Sequence, residues 1–358
     1  MLLGRFGNME FYKGKKVLVT GHTGFKGTWL CQMLVCFGAD VVGYSLEPNT
    51  TPSIYNLSGI EAKIKSYIAD IRDYESLKYV FDEEKPEIVF HLAAQPIVRE
   101  SYNKPRYTYE TNVMGTVNVC ECIRNSSNVK SFLNVTTDKV YENNDADIAF
   151  TEDMPLDGFD PYSNSKSCSE LVTHSYKNSF FDNMDVAIST ARAGNVIGGG
   201  DFANDRLIPD CVRAIESGKE IKVRNPYSTR PFQHVLEPLY VYLLIAKKQY
   251  EDKRYQGYYN VGPNDSDCIS VGELVDLFCS VWCDGAKWKN VCEENAPHEA
   301  SFLKLDTTKV KTTFGWSPVW NINYTVEKIV EWTRCYLNGQ NISELMDRQI
   351  KEFLDAVK

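Results

Sequence analysis

Short apolar runs alternate with longer amphipathic stretches through the first half of the chain. The runs are rich in β-branched and aromatic residues and mostly lack an alternating polar face, which is typical of strands buried on both sides of a parallel sheet. The predicted strands are Lys16–Thr20, Asp40–Tyr44, Ile64–Ile68, Glu87–Leu92, Ser131–Thr136 and Val186–Arg192. The predicted helices between them are Lys26–Phe37, Tyr74–Glu83, Tyr107–Asn125 and Ser165–Phe181. This order predicts a doubly wound α/β fold with a parallel sheet.

The regular alternation stops after Asn195, where helices mix with a few short strands. The later predicted helices are Ile208–Ser217, Pro238–Gln249, Val271–Val281, Val326–Leu337 and Ile342–Ala356, and the later strands are Glu220–Val223 and Tyr258–Val261. We expect a larger domain of residues 9–194 completed by about 236–262, and a smaller mixed α/β lobe of residues 195–235 and 263–358. A ligand cleft is expected between them, at the carboxyl ends of the strands.

Charge and cysteine content narrow the possible partners. The chain has 358 residues, with 48 acidic against 39 basic residues and a net charge of −9, which argues against a protein that coats nucleic acid or an anionic membrane. The longest apolar run, Leu239–Ala246, is too short to cross a bilayer. The eleven scattered cysteines indicate reduced thiols in the cytoplasm, and none of them has the spacing of a metal site.

A glycine-rich turn follows the first strand directly and opens the first helix. Gly21, Gly24 and Gly27 permit a tight turn, close approach of a pyrophosphate and close packing of helix on strand. This context predicts a dinucleotide site. Ser45 ends the second strand, where an acidic residue usually holds the adenosine ribose, so a preference for NAD over NADP does not follow from this position.

Two further motifs carry ionisable groups toward the same cleft. Tyr162 and Lys166 are four residues apart and so share a helix face, where an ammonium favours the phenolate that removes a proton from an alcohol. Thr137, Asp138 and Lys139 follow the predicted strand Ser131–Thr136. An acid beside an amine at a strand end suggests proton transfers beyond simple alcohol oxidation.

In these motifs the chain resembles the nucleotide-sugar 4,6-dehydratases of the extended short-chain dehydrogenase/reductase superfamily, from about Phe11 to Trp332. The matching blocks, in order, are Gly21–Gly27, His91–Pro96, Thr111–Thr116, Asp160–Ser163, Ala191–Asp201 and Arg230–Val235. Lys139 stands where the members acting on dTDP-glucose and GDP-mannose usually carry Glu or a related acid. In this the chain resembles the members acting on CDP-D-glucose and some of those acting on UDP-sugars. The resemblance implies a Rossmann domain with a smaller mixed α/β substrate lobe.

The resemblance also implies an internal redox reaction with NAD as cofactor. Tyr162, assisted by Lys166 and Thr137, would take the proton of the hexose 4-hydroxyl while C4 gives hydride to NAD. Asp138 would protonate the departing 6-hydroxyl, and the hydride would return to C6. Lys139 is expected either to remove the C5 proton or to stabilise the enolate electrostatically.

Binding residues follow from the same resemblance. The expected cofactor contacts are Gly21, Thr23, Gly24, Phe25, Lys26, Gly27, Asp70, Ile71, Leu92, Ala93, Ala94, Asn112, Tyr162 and Lys166. The expected substrate contacts are Gln95, Asn195, Arg206, Leu207, Arg230 and His298. The helices Tyr107–Asn125 and Ser165–Phe181 are expected to pair in a homodimer, and the product to enter deoxysugar synthesis for bacterial surface polysaccharide such as O-antigen lipopolysaccharide.

Two other functions stay open at this point. One is a dehydratase or epimerase of another nucleotide sugar, UDP- or GDP-linked. The other is a silent NAD-binding scaffold, against which the presence of Tyr162, Lys166, Thr137 and Asp138 weighs.

Overall fold

The computed structural model describes residues 7–143, 148–291 and 303–357. Its strands are β1 Lys16–Thr20, β2 Asp40–Ser45, β3 Lys65–Ile68, β4 Ile88–His91, β5 Ser131–Val135, β6 Ala187–Ala193, β7 Val196–Ile197, β8 Ile221–Val223, β9 Thr229–Pro231, β10 Gln233–His234, β11 Tyr258–Val261, β12 Cys268–Ser270 and β13 Trp288–Asn290. Its α-helices are α1 Phe25–Cys36, α2 Ile54–Ser58, α3 Tyr74–Glu84, α4 Val98–Asn103, α5 Pro105–Tyr109, α6 Gly115–Arg124, α7 Pro161–Ser179, α8 Leu207–Glu216, α9 Leu236–Glu251, α10 Val271–Trp282, α11 Thr308–Phe314, α12 Ile322–Leu337 and α13 Ile342–Ala356. A π-helical turn, Glu110–Met114, joins α5 to α6.

Seven parallel strands form the main sheet, in the order β11-β6-β5-β4-β1-β2-β3. Adjacent residues of β1 point to opposite faces: Val17 and Val19 join a cluster with α1, α9 and α13, whereas Leu18 joins one with α3 and α6. The predicted doubly wound, Rossmann-like α/β fold is therefore confirmed. The strand β11 lies far along the chain and completes the sheet beside β6.

The remaining short strands pair in three small sheets, β7 with β10, β8 with β13 and β9 with β12. A separate apolar cluster is built from α8, β8, α10 and the first turns of α12. The last turns of α12 pack instead into the cluster under the main sheet, because Trp332 belongs to it. The helix α12 thus joins the two parts of the molecule. Within the described residues, none of the helices combines the length and apolar character needed to cross a membrane.

The helix α7 begins four residues earlier than the sequence predicts. The carboxylate of Asp160 accepts the backbone N–H of Ser163 at 3.0 Å, and Pro161 occupies the first helical position. Both features favour a helix start at this point. The prediction of a start at Ser165 was therefore wrong, and Tyr162 lies in the first turn with Lys166 one turn further on.

A buried carboxylate fixes the segment before α12. Glu237, in the first turn of α9, accepts the backbone N–H groups of Val319 at 2.9 Å and Trp320 at 2.7 Å through Oε1. Its Oε2 has no hydrogen-bond partner among the described residues. Burial, together with the nearby charge of Asp267, raises the pKa of Glu237 to about 7. Glu237 is thus protonated more easily in the folded state than in the unfolded state.

We expect E237Q to gain stability relative to the wild type as pH rises. A raised folded-state pKa stabilises the wild type fully below about pH 4.5, and this contribution is lost as pH climbs through about 7. Because Gln cannot ionise, the unfolding free energy of E237Q should gain up to about 3 kcal/mol on the wild type between pH 5 and pH 8. Urea unfolding at both pH values measures this, and an equal difference at both would contradict it.

Candidate active site

In the turn after β1, two glycines lie against neighbouring backbone and a third faces open space. A Cβ on Gly21, whose φ is +77°, would lie 2.7 Å from the backbone N of Ala93, and one on Gly27 would lie 2.0 Å from the carbonyl O of Gly21. A Cβ on Gly24 would meet only the Gly21 carbonyl O, at 3.4 Å. Since Gly24 precedes α1, its open side leaves space for a phosphate at a helix N-terminus.

A cavity of about 670 Å³ extends from this turn across the carboxyl ends of the strands. All the expected cofactor contacts except Asn112 line it, and so do Ser45 and Glu47. Asn112 lies behind the wall in the π-helical turn, where its Oδ1 accepts the backbone N–H of Gln95 at 2.8 Å and its Nδ2 donates to Ser165 at 2.9 Å. Asn112 therefore connects the wall of the cavity to α7.

The carboxylate of Asp70 is held on the wall of this cavity by Arg72, whose Nη2 donates to Oδ2 at 2.6 Å. This hydrogen bond holds the pKa of Asp70 below its usual value. The Asp70 carboxylate is therefore ionised and can accept a hydrogen bond from an amine N–H of a ligand.

Tyr162 lines this cavity, and it forms a connected group with Thr137, Asp138 and Lys139, which lie beyond the cavity wall. The Thr137 side chain lies near the phenol of Tyr162 and works to lower its pKa. The Thr137 hydroxyl donates to Asp138 Oδ1 at 2.9 Å. The ammonium of Lys139 donates to the same oxygen at 3.1 Å. Among the described residues, the buried Oδ2 of Asp138 has no hydrogen-bond partner. One oxygen of this carboxylate is thus fixed and the other is available to a ligand.

The pKa values of Tyr162 and Lys166, which lie four residues apart on α7, are set mainly by burial. Burial raises the pKa of Tyr162, and the cation that opposes this most is Lys139. Burial lowers the pKa of Lys166 to about 8, against the opposing charge of Glu170. The Lys166 ammonium donates to the carbonyl of Val135 at 3.1 Å, at the end of β5. Lys139 is therefore the largest charge that favours a Tyr162 phenolate in the free chain, and the assistance of Tyr162 by Lys166 stays a prediction.

A second cavity of about 550 Å³ meets the first at Lys26, Tyr162 and Arg206. Of the expected substrate contacts, Asn195, Arg206, Leu207 and Arg230 line it. Gln95 lines the first cavity instead, and its side-chain amide bonds to the backbone of Ile97 and to Thr108 at 2.9 Å. His298 lies outside the described residues. The sequence reasoning missed one wall of this cavity, residues 222–225 at the end of β8, because no local motif marks it.

Three cations lie close together where the cavities meet: Lys166 is buried, whereas Lys26 and Arg206 are partly exposed and Arg206 pairs with Asp201 at 3.1 Å. Burial, then the charges of Arg206 and Lys166, lowers the pKa of Lys26 to about 7. The buried Nδ2 of Asn195 has no hydrogen-bond partner among the described residues. Buried cations and an unpaired donor are costly unless an anion compensates them. The cavities are therefore suited to ligands that carry phosphate groups, although the chain is acidic overall.

The family model described as GDP-mannose 4,6 dehydratase matches residues 18–329. The chain belongs to this family. Among similar proteins, the CDP-glucose 4,6-dehydratase of Salmonella typhimurium is 45% identical over 353 residues, which cover 97% of this chain and 98% of that protein. The human dTDP-D-glucose 4,6-dehydratase is 25% identical over 346 residues, covering 93% of this chain and 94% of that protein.

Solved structures resemble the family member described here over most of its length. The UDP-glucose 4-epimerase of Thermotoga maritima, solved with UDP-glucose, has a TM-score of 0.78 at 22% identity and covers 90% of this chain and 99% of its own. The dTDP-glucose 4,6-dehydratase of Bacillus anthracis, solved with NAD, has a TM-score of 0.76 at 21% identity and covers 91% and 99%. At these identities the likeness establishes a shared fold.

Proposed function

We propose that this chain is an NAD-dependent CDP-D-glucose 4,6-dehydratase, a lyase that forms CDP-4-keto-6-deoxy-D-glucose and water. The observation that carries the proposal is the connected group of Tyr162, Thr137, Asp138 and Lys139 where the two cavities meet. The similarity to the Salmonella CDP-glucose 4,6-dehydratase, at 45% identity over nearly the whole chain, supports the choice of sugar nucleotide.

The first cavity fits NAD in volume and in chemistry. Gly24 leaves room for the pyrophosphate, the ionised Asp70 can accept the adenine amine, and Lys166 lines the end beside Tyr162. When bound, NAD supplies the oxidant that accepts a hydride from C4 of the hexose and returns it to C6, so none is consumed overall. The second cavity, with Asn195, would hold the nucleotide sugar.

Tyr162 acts first, as the base that takes the proton of the sugar 4-hydroxyl. Its burial raises the phenol pKa, so the reaction depends on the groups that stabilise the phenolate. Both the charge of Lys139 and the neighbouring Thr137 work to lower this pKa. Oxidation at C4 then makes the C5 proton acidic, because the new carbonyl stabilises an enolate.

Asp138 is placed to act on the departing 6-hydroxyl. Thr137 and Lys139 both hold its Oδ1, which leaves the buried Oδ2 for the substrate. As a carboxylate, Asp138 can take the C5 proton on this oxygen and then donate it to the 6-hydroxyl as water leaves. A methyl group on Gly194 would lie 2.4 Å from the same oxygen, so a glycine at this position keeps the approach clear.

Lys139 is better suited to stabilise the enolate than to remove the C5 proton. Burial is the largest influence on its pKa and works to lower it. The charge and hydrogen bond of Asp138, together with the charge of Tyr162, outweigh burial, so the pKa is raised. An amine that serves as a base near neutral pH needs a lowered pKa. We therefore assign Lys139 the electrostatic role, in which a fixed ammonium faces the developing negative charge.

The substrate is tested by incubating the purified chain with NAD and the glucose nucleotides of CDP, UDP, GDP and dTDP. We expect the alkaline absorbance of a 4-keto product mainly from CDP-D-glucose. In Y162F this rate should fall by about 10²–10⁴-fold, because the phenol that takes the proton is absent, while NAD still binds. Turnover of only a UDP or GDP sugar would overturn the proposed substrate. Turnover retained in Y162F would overturn the mechanism.

The role of Lys139 is tested by comparing K139M with K139R. Arginine keeps the charge but cannot act as a base, so K139R should retain solvent exchange at C5 within about tenfold of the wild type. In K139M the rate of solvent exchange at C5 should fall by about 10²–10³-fold, because no cation then stabilises the enolate. Deuterium incorporation at C5, followed by mass spectrometry, measures both rates. If K139R is as slow as K139M, Lys139 is the base.

We further propose a homodimer, in which α6 and α7 meet the same helices of a second copy. The two helices lie side by side, with Thr116 hydrogen-bonded to Ser169 at 2.8 Å. Next to α6, Met114 is 51% exposed, and Leu171 on α7 is 53% exposed. Sedimentation should give a dimer that L171E weakens and that the control L337E, at another exposed leucine, leaves intact. A monomeric wild type would contradict this.

A cytoplasmic location and a role in deoxysugar synthesis complete the proposal. The cysteines of the described residues are all free thiols, which supports a reducing compartment. The 4-keto-6-deoxy product is a starting point for deoxysugars such as those of O-antigen polysaccharide.

A further inference from the structure

A buried ion pair lies behind the catalytic segment and belongs to neither cavity wall. Glu170 follows Lys166 by one turn of α7, and Arg192 lies in β6. The Nε and Nη2 atoms of Arg192 lie 3.1 and 3.0 Å from the Glu170 carboxylate, and the two side chains are 3% and 1% exposed. Burying such a pair costs desolvation that its attraction barely offsets, so stability alone is a weak reason for it.

This pair is bonded to both ends of the segment that carries Thr137, Asp138 and Lys139. At one end the Thr136 hydroxyl donates to Glu170 Oε1 at 2.5 Å. At the other end Arg192 Nη1 donates to the Tyr141 hydroxyl at 2.8 Å. A shift of either partner would therefore move the segment relative to Tyr162.

The same carboxylate acts on Lys166. The other ionisable groups near the Lys166 ammonium are Lys26 on α1, His91 at the end of β4, and Tyr162 on its own helix. Burial and the charge of Lys166 lower the pKa of His91 to about 3, so this imidazole is neutral. Glu170 is the group that works against burial to keep Lys166 protonated.

We propose that Glu170 and Arg192 are positioning residues for the catalytic group. Arg192 fixes the carboxylate of Glu170, and Glu170 both holds Thr136 beside Thr137 and supplies the negative charge that keeps Lys166 an ammonium. The link to catalysis rests on the proposed function, but the contacts and the charge of Lys166 can be tested without a substrate.

The first test measures the ionisation of Lys166 directly. Lys166 lines the first cavity, so acetic anhydride can reach it, and its labelling as a function of pH, read by mass spectrometry, gives its pKa. We expect E170Q to lower this pKa by on the order of one unit, since a charge about one helical turn away is lost. E170D, which keeps the charge, should restore a value near that of the wild type.

The control is E84Q, the same substitution at another buried and paired glutamate. Glu84 is 4% exposed and bonds to Lys16 and Lys65 near the start of the sheet, away from both cavities. The E84Q substitution should lower the stability by a comparable amount and leave the labelling of Lys166 unchanged. If E170Q does not fold, E170Q/R192M removes the pair without leaving a buried charge and should also lower the Lys166 pKa.

The second test measures turnover of CDP-D-glucose as a function of pH. A one-unit fall in the Lys166 pKa predicts near-equal rates at pH 6 and a loss in E170Q that grows to about tenfold at pH 9. A merely structural defect would lower the rate equally at all pH values. Wild-type labelling of Lys166 in folded E170Q would overturn the proposal. Absence of turnover in the wild type would overturn the proposed function alone.

Discussion

The attachment of α7 to the end of β5 is the constraint on which the site depends. Buried carbonyl groups and polar side chains at the end of a strand need hydrogen-bond partners, and here α7 supplies them. From the β5 side, Asn134 donates to Ser169 and Thr173, and Thr136 donates to Glu170. From the α7 side, Lys166 donates to the carbonyl of Val135, and Ser167 donates to the carbonyl of Val140. The buried face of α7 is therefore polar, unlike that of an ordinary core helix. The same contacts that dock the helix also fix Tyr162 against Thr137.

The strands of the sheet and the glycine turn could be predicted from the sequence, because both depend on local interactions. Apolar runs locate the strands of the sheet within a residue or two, and the steric needs of Gly21 and Gly27 locate the turn. The predicted start of α7 at Ser165 was wrong because Asp160 caps the helix and places its first residue at Pro161. The wall at residues 222–225 was missed because only the folded chain brings β8 to the cavity. Glu170 could have been found, since it repeats the four-residue spacing from Tyr162 to Lys166.

The charge at the junction of the cavities is also a property of the fold rather than of composition. A net charge of −9 coexists with Arg206 and Lys166 lying close enough to Lys26 to lower its pKa. These residues come from α1, α7 and the start of α8, so the cluster exists only once the helices surround the sheet. Because Lys26 and Arg206 line both cavities, an anion bound in one changes the field in the other. The two ligands are thus expected to affect each other's binding without any movement of the chain.

A lysine beside Asp138 changes how the tyrosine is activated. A Glu at this position would place a negative charge beside the phenol and raise its pKa further. Lys139 instead lowers it, and does so more than any other neighbour. The same ammonium is held by Asp138, which raises its pKa and keeps it charged over the pH range where Lys166 begins to lose its proton. In the proposed mechanism the two residues therefore have different roles: Asp138 acts on the leaving hydroxyl, and Lys139 stabilises both the phenolate and the enolate.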